Sequence, residues 1–595
     1  MIEELICKVT VEALKHLFGI NIDSEIVSVQ RTRKEFEGDY TIVVFPFVRF
    51  SKKDPQSTAQ QIGDYLIENV PDVVKFNVIK GFLNLSVGDK YWLSFLKANE
   101  KNIDFGKNTY QKPSTFVVEY SSPNTNKPLH LGHIRNNLLG YSVAEILKYA
   151  GNKVHKVNLV NDRGIHICKS MLAWQQWGEG ETPESTGMKG DFFVGKYYVL
   201  FEQYYKKERE ILIAQGLSEE DAAKNAPLIQ QAQEMLRLWE NKDKDVISLW
   251  KKMNKWVLDG FDVTYKKLGI DFDKIYYESE TYLYGKVIIE EGLNNKVFYR
   301  KPDNSVWIDL TNEGLDEKLL LRSDGTSVYM TQDIGTAQLR KNDFDADKFI
   351  YVVGNEQNYH FEVLKHVLKK LGKDWADGLF HLSYGMVELP EGKMKSREGK
   401  VVDADDLINE MIETARKQTE ELGKIEDFNN EEAKKLFNIL ALGAIKYFIL
   451  KVDPKKNMIF NPEESIDFNG NTGPFIQYSY VRINSLLKKA ESLNLLTVEK
   501  DFSALNIDEK EKSLLKLIHD FPAIIEEAAN TLSPALIANF LYEVAKEYNQ
   551  FYHDFPVLKE PDDTKAYFRI KLTEFTGFVV KKGLSLLGIG VPERM

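Results

Sequence analysis

The spacing of apolar positions changes period several times along the chain, and the changes mark its organisation. "TFVVEY" (115–120) is a short continuous apolar run of the buried parallel-strand kind. From Leu131 apolar residues follow at 139, 143, 146, 147 and 150 before Gly151, the spacing of an amphipathic helix with a C-terminal glycine. "KVHKVNLV" (153–160) predicts a second strand, so the unit is β-loop-α-β, the opening of a doubly wound sheet. Residues 186 to about 290 show long helical periodicity rich in Lys, Glu, Tyr and Trp, and predict a helical insertion. The sheet pattern resumes as strand, loop and helix over 348–372 and as a strand over 379–389 leading into a polar loop. From about 403 nearly every segment has helical period and predicts a bundle. The first hundred residues mix both periods and end in "KNIDFGKNTYQKPSTF", where Gly106, Lys112 and Pro113 suggest a linker. The expected fold is therefore multidomain α/β. An α+β N-terminal domain (1–110) precedes a Rossmann-like, doubly wound parallel-sheet domain (111–402) split by the insertion, and an all-α region (403–595) follows.

At 595 residues, with 43% hydrophobic and 12% aromatic composition, the chain can bury several cores. The net charge of −11 argues against indiscriminate binding of polyanions, although a local basic face can still hold nucleic acid. Cys7 and Cys168 are the only cysteines, so neither a disulfide framework nor a Cys-based zinc site is expected. Glu3, Glu4 and Glu12 interrupt the apolar start, unlike a secretory signal, and no later run reaches about 18 uncharged apolar residues. These features lead us to expect a soluble, cytoplasmic protein with no membrane association.

Two loops carry the candidate chemistry. "SSPNTNKPLHLGHIRNNLLG" (121–140) lies where the first strand gives way to the first helix, and helix N-termini at the carboxyl ends of parallel strands offer free N–H groups to phosphate. Within it His130 and His133 bracket Leu131 and Gly132. Two imidazoles can donate to charge developing on a phosphate, and glycine lets a ligand approach the backbone. Taken alone, such a pair more often satisfies a helix cap, and no nearby Cys or His completes a metal site. The second loop, "PEGKMKSREGK" (390–400), interleaves Lys393, Lys395, Arg397 and Lys400 with Gly392 and Gly399. Alone it reads as solvated surface; after a late strand of the same sheet, its cations suit a leaving pyrophosphate.

Together the loops resemble class I aminoacyl-tRNA synthetases: "PLHLGH" matches the HIGH-type signature and "KMKSR" the KMSKS-type loop. More closely the chain resembles the arginyl-tRNA synthetase family, through "VVEYSSPNTNKPLHLGHIRN", "NDRG", "VYMTQDIGTA", "YVVGNEQNYHF", "GPFIQYSYVRI" and the terminal "LLGIGVPERM" in order. The resemblance implies ATP and Mg²⁺, L-arginine and tRNA(Arg) as partners, and a monomer. It implies two steps, in which arginine's carboxylate attacks the α-phosphate of ATP and a terminal hydroxyl of the tRNA then takes the arginyl group. His130, His133 and Lys127 are expected at the reacting phosphates, with Lys393, Lys395 and Arg397 clamping pyrophosphate. Ser122, Gly132, His360 and Met394 are further positions at ATP. Glu119, Asn124, Tyr329, Asp333 and Gln357 match the family's arginine-binding positions. That agrees with what a planar, always charged guanidinium requires, namely carboxylates for forked hydrogen bonds. As isolated acids, Glu119 and Asp333 would read as structural ion pairs.

One departure is plain. Ser396 stands where many class I enzymes have a lysine, and Lys395 takes the usual serine position, so the register of cations is open. The family generally needs bound tRNA to activate arginine. The helical C-terminal region fits an anticodon-binding bundle, with "QYSYVRINSLLKKA" (477–490) bringing aromatics, Arg482 and a lysine pair. The family suggests that the N-terminal domain touches the tRNA elbow, while "FEGDYTIVVFPFVRF" reads as a core strand. Alternatives from other classes are a small nucleotidylyltransferase, which would hardly need the insertion and bundle, and an inactive RNA-binding paralogue, against which the intact histidines argue. A glutamyl- or cysteinyl-specific enzyme would need a basic or zinc-containing pocket, and neither is visible.

Overall fold

The structure, a computed structural model, describes residues 2–33, 35–108, 112–390, 402–423 and 428–595. The chain forms two compact units. The first comprises Met1–Phe105, Leu486–His519 and Glu547–Thr576. Its antiparallel sheet contains β1 (Val29–Arg31), β2 (Tyr40–Val43), β3 (Val73–Ile79) and β4 (Phe82–Val87), in the order β1-β2-β4-β3. Lys80 and Gly81, both at positive φ, join β3 to β4, as a two-residue hairpin between right-twisted strands requires. Helices Ile2–Phe18 and Pro55–Asn69 bury Ile6, Leu14, Ile62 and Leu66. The expected core strand is confined to β2, because Pro46 sits in the first turn of a helix, Phe45–Ser51.

The second unit comprises Gly106–Ser485, Asp520–Lys546 and Gly577–Met595. Its centre is a parallel sheet of β5 (Thr115–Glu119), β6 (Lys153–Val160), β7 (Lys274–Tyr277), β11 (Lys348–Gly354) and β12 (Leu379–Tyr384). β8 (Tyr299–Arg300), β9 (Val306–Ile308) and β10 (Lys318–Leu321) form a small antiparallel sheet between β7 and β11 in the chain. The large sheet has the order β12-β11-β5-β6-β7. The chain winds from β5 towards β7 and later from β11 to β12 in the opposite direction. Right-handed crossovers then put helix Leu131–Tyr149 on one face and helix Asn358–Lys370 on the other. Val117, Val157, Phe349 and Leu379 face the second set, packing with Ile288, Ile334 and Leu364 from three helices.

Two strand expectations change. β7 lies inside the stretch expected to be helical insertion, since four residues are too few for periodicity to declare a strand. The strand expected over 379–389 breaks after Tyr384. Gly385 approaches the backbone of Lys456 so closely that a Cβ would lie 2.6 Å from it, and β13 (Val387–Glu388) pairs instead with β14 (Met458–Ile459). Helices Gly190–Ala214, Glu219–Asn225, Pro227–Glu240 and Lys244–Leu268 occupy the interval between β6 and β7. Beyond residue 403 the described elements are helical apart from β14. No helix among the described residues is long and apolar enough to cross a membrane.

Candidate active site

The chain leaves β5 through a tight reversal. Ser121 and Ser122 lie at φ 77° and 45°, left-handed values that cost a non-glycine residue about 1–3 kcal/mol each and persist only when neighbours over-determine them. Here the neighbours are polar and buried. The Ser121 N–H donates to Asn136 Oδ1 (2.5 Å) and the Ser122 N–H to Asn158 Oδ1 (3.0 Å). Ser121 Oγ shares a 2.6 Å hydrogen bond with Tyr265 OH. Ser122 Oγ donates to Glu119 Oε1 at 3.0 Å, and Asn124 bridges to Asn161 beyond the end of β6.

His130 is the N-cap of helix Leu131–Tyr149. Its Nδ1 accepts from the Gly132 N–H (3.1 Å), while its own backbone N–H donates to His133 Nδ1 (3.2 Å). This reciprocal cap fixes both tautomers: with each Nδ1 an acceptor, the proton of each neutral ring sits on Nε2. Burial, reinforced by the charge of Lys127, pushes His130 down to about 4. His133 goes well below its ordinary range through burial first, then His130 and Lys127. Both rings are therefore neutral donors at physiological pH. Glycine is required between them, because a Cβ at Gly132 would come within 2.9 Å of His130 Cε1. Half-buried Lys127 itself has its ammonium pKa lowered by burial.

These residues form one wall of a cavity of about 530 Å³. Ser121, Ser122, His130, Gly132, His133 and Asn136 line one side; Val352, Val353, Gly354, Glu356, Tyr384 and Met386–Glu388 line the other. It lies between the carboxyl ends of β5 and β11, where the winding direction reverses and doubly wound sheets open a crevice. Asn136 staples the two sides: its Nδ2 donates to Val352 O (2.6 Å) and Tyr384 OH (3.3 Å). Arg135, 0% exposed, donates to four carbonyls: Gly385 (2.8 Å), Met386 (2.9 Å), Pro454 (3.1 Å) and Lys456 (2.7 Å). That grip holds the Met386 wall, and burial lowers the guanidinium to about 10. Lys393, Met394, Lys395 and Arg397 lie outside the described residues. The backbone beyond them returns to the histidine loop: the Leu131 N–H donates to Val402 O (3.2 Å) and the Ala404 N–H to Leu129 O (2.9 Å).

Acids gather on the other side of β5. Glu119 ion-pairs with Arg340, which is 1% exposed and flanked by the rings of Tyr276 (5.4 Å) and Tyr351 (5.3 Å). Asp333 Oδ2 contacts His360 Nε2 at 2.5 Å. Tyr329, one turn before Asp333 on the same helix, is 72% exposed, and Gln357 is exposed at the end of the short turn after β11. The structure thus joins Ser122, His130, Gly132 and His133 in one cavity and links Glu119 to it through Ser122. Lys127, Asn124, Tyr329, Asp333, Gln357 and His360 are not among that cavity's lining.

The sequence reading passed over Arg135, Asn136, Arg340 and Glu278. Glu278 starts the helix after β7, and burial, with Asp333 and Asp162 adding, raises its carboxyl to about 7. Asp162, in "NDRG" at the end of β6, accepts from the N–H (2.9 Å) and Oγ–H (2.6 Å) of Ser279. A rule that inspects the residue after every parallel strand would have found Glu278, had β7 been recognised.

Comparisons with known proteins identify the family of the chain. A family model described as tRNA synthetases class I (R), catalytic domain, matches residues 96–462, and one described as the DALR anticodon binding domain matches 476–595. The parallel sheet and the helical C-terminal region are those of a class I tRNA synthetase. Proteins named arginine–tRNA ligase from Parabacteroides distasonis and Bacteroides thetaiotaomicron are 57% and 56% identical over the whole of both chains. One from Flavobacterium psychrophilum is 54% identical over 98% of each. The chain belongs to the arginine–tRNA ligase family. The arginyl-tRNA synthetase of Thermus thermophilus has the same fold, with a TM-score of 0.79 at 24% identity over the full length of both chains.

Proposed function

We propose that the cavity between β5 and β11 is where ATP is bound and arginyl-adenylate forms. The overall reaction is that of an arginine–tRNA ligase: ATP, arginine and tRNA give arginyl-tRNA, AMP and pyrophosphate. A carboxylate oxygen of arginine attacks the α-phosphorus, the bond to the bridging oxygen breaks, and its electron pair leaves with pyrophosphate. The 2′-hydroxyl of the tRNA's terminal adenosine then attacks the acyl carbon, AMP departs and the hydroxyl proton leaves with it. The observation that carries the reading is the reciprocal histidine cap. It presents two neutral Nε2–H donors beside a helix N-terminus, and preorganised donors of this kind stabilise charge that grows in the transition state. Lys127 and the cations Lys393, Lys395 and Arg397 complete the phosphate side.

Arginine's guanidinium lies toward Asp333, Glu278 and Glu119, with Asn124, Tyr329 and Gln357 around it. Glu119 keeps Arg340 and Ser122 as partners, so its remaining lone pairs orient the substrate while the other two acids answer its charge. No group of three metal-ligating side chains gathers at the cavity among the described residues, but the carboxylates of Glu356 and Glu388 line it. That fits Mg²⁺, which is held by one or two carboxylates and substrate phosphates and would neutralise phosphate charge. We place the protein in the cytoplasm with its tRNA, as a monomer, with functional boundaries at 110/111 and 402/403. ATP–pyrophosphate exchange with each of the twenty amino acids, with and without tRNA, tests the assignment. Exchange with arginine alone, appearing only with tRNA, is expected; exchange with another amino acid would refute the pocket.

A further inference from the structure

A buried cluster of charges ties helices Gly190–Ala214 and Lys244–Leu268 to the backbone beside the histidines. Lys189, the N-cap of the first helix, donates to Asp191 Oδ2 (2.9 Å), Thr264 Oγ1 (2.6 Å) and Asp405 Oδ2 (2.5 Å). Thr264 Oγ1 donates in turn to Asp405 Oδ2 (2.7 Å), and Lys267 Nζ donates to Asp405 Oδ1 (2.7 Å). The Asp405 side chain is 7% exposed. Burial would raise its carboxyl, but the hydrogen bonds from Lys189, Lys267 and Thr264 outweigh burial and hold it below the ordinary carboxylate range. A buried ion pair adds little stability against its desolvation; what this one supplies is a fixed position. Asp405 follows directly on the segment that pairs with the histidine loop. The Ala404 N–H donates to Leu129 O (2.9 Å), the Leu131 N–H donates to Val402 O (3.2 Å), and Asp403 bridges to His130 between them. Helix Gly190–Ala214 makes a second contact with the same loop: a Cβ at Gly195 would lie 2.8 Å from Pro128 Cδ, two residues before His130.

We propose that Asp405 is a positioning residue for arginine activation: held by Lys189, Thr264 and Lys267, it sets the direction in which the His130 and His133 Nε2–H donors face the phosphates. The reciprocal cap fixes the two rings relative to each other and to their helix start, but the cap as a unit must still be aimed. Both imidazoles are neutral, so their effect on a phosphate depends on hydrogen-bond direction rather than on charge. Direction is what an anchor with three donors preserves. A misplacement of about 1 Å, even from a change far from the chemistry, can cost about 10²-fold in rate. Asp405 touches neither substrate nor the rings; it acts through the backbone of residues 402–404 on that of 129–131. The role rests on the reaction cavity proposed above.

The test is D405N, measured by arginine-dependent ATP–pyrophosphate exchange at saturating tRNA. Asparagine keeps the shape of the side chain but offers one oxygen, so its NH2 group faces Lys189 or Lys267 whichever way it turns. We expect kcat to fall about tenfold while KM for arginine moves less than about twofold. In a protein already lacking both imidazoles, H130A/H133A, the same change should lower kcat by less than about twofold, because no donors remain to be aimed. G195A reaches the loop without touching the charges. Pro128 must retreat by roughly 1 Å to regain ordinary contact, and kcat should drop about tenfold or more, again only while the histidines are present. Alanine suits a helix better than glycine, so G195A decides the matter if D405N fails to fold. Wild-type kcat in both variants, a KM for arginine that rises in step, or an equal fall on the H130A/H133A background overturns the proposal. Normal activation by H130A/H133A itself would instead overturn the reaction cavity, and the aiming role with it.

Discussion

The proposed phosphate side and the proposed arginine side of the site bury ionisable groups of opposite type. Beside the helix start, burial drives His130 down to about 4 and His133 well below its ordinary range, and both lose their charge. At the end of β7, burial drives Glu278 up to about 7, and it too tends toward neutral. One cause, loss of water, acts on both because it penalises whichever form is charged. The difference lies in what each ligand restores. A triphosphate needs donors, which neutral imidazoles already are. A guanidinium needs a carboxylate, which its own charge regenerates. The phosphate side is therefore ready before its ligand arrives, whereas the arginine side is completed by it.

The largest effect should come from breaking the reciprocal cap. H133A removes one Nε2–H donor and the acceptor that orients His130, and losing one such donor costs about 10²–10³ in rate. Exchange kinetics should show that fall in kcat, with KM for arginine moving less than twofold. If KM for arginine rises in step, the two sides are not separable as described. On the other side, D333A would take away the proposed charged partner of the guanidinium and release His360. A hydrogen bond to a charged group contributes about 2 kcal/mol. Accordingly, kcat/KM for arginine should fall some thirtyfold while KM for ATP holds; an unaltered arginine KM would remove Asp333 from the pocket.

The two sides also differ in how far the sequence disclosed them. β5 and β11 could be seen because buried parallel strands are continuous apolar runs, and β6 and β12 because their six to eight residues are long enough to show strand spacing. β7 could not, at four residues beginning with a lysine. The histidines announced themselves by spacing, but their tautomers did not, since these depend on which atom caps which N–H in three dimensions. Glu119 and Asp333 were legible as acids and illegible as partners: Arg340 lies 221 positions from Glu119 and meets it only when helix Tyr329–Phe344 packs on the sheet. Arg135 was hidden in another way. A charged residue on a helix is expected at the surface, yet this one is fully buried because four carbonyls from two loops converge on it.

The comparison is sharpened by pH, with smaller effects. Glu278 titrates near 7 in the free protein, and only its ionised form answers a guanidinium. Arginine's kcat/KM should therefore rise about tenfold per unit from pH 5.5 to 7 and level off above it. E278Q should lower the plateau and erase the bend. The same shift has a stability sign. Folding raises this carboxyl from its unfolded value of 4.5, so the native state binds the proton more tightly, and stability is lost as pH climbs through about 7. E278Q should then melt higher than wild type at pH 8 and no higher at pH 4. On the phosphate side the expected effect is the smallest of all, a flat kcat/KM for ATP from pH 6 to 8, because His130 has given up its proton two units below that range. An imidazole ionisation near 6.5 in the ATP profile would mean that the histidines meet phosphate as cations, and the contrast between the two sides would collapse.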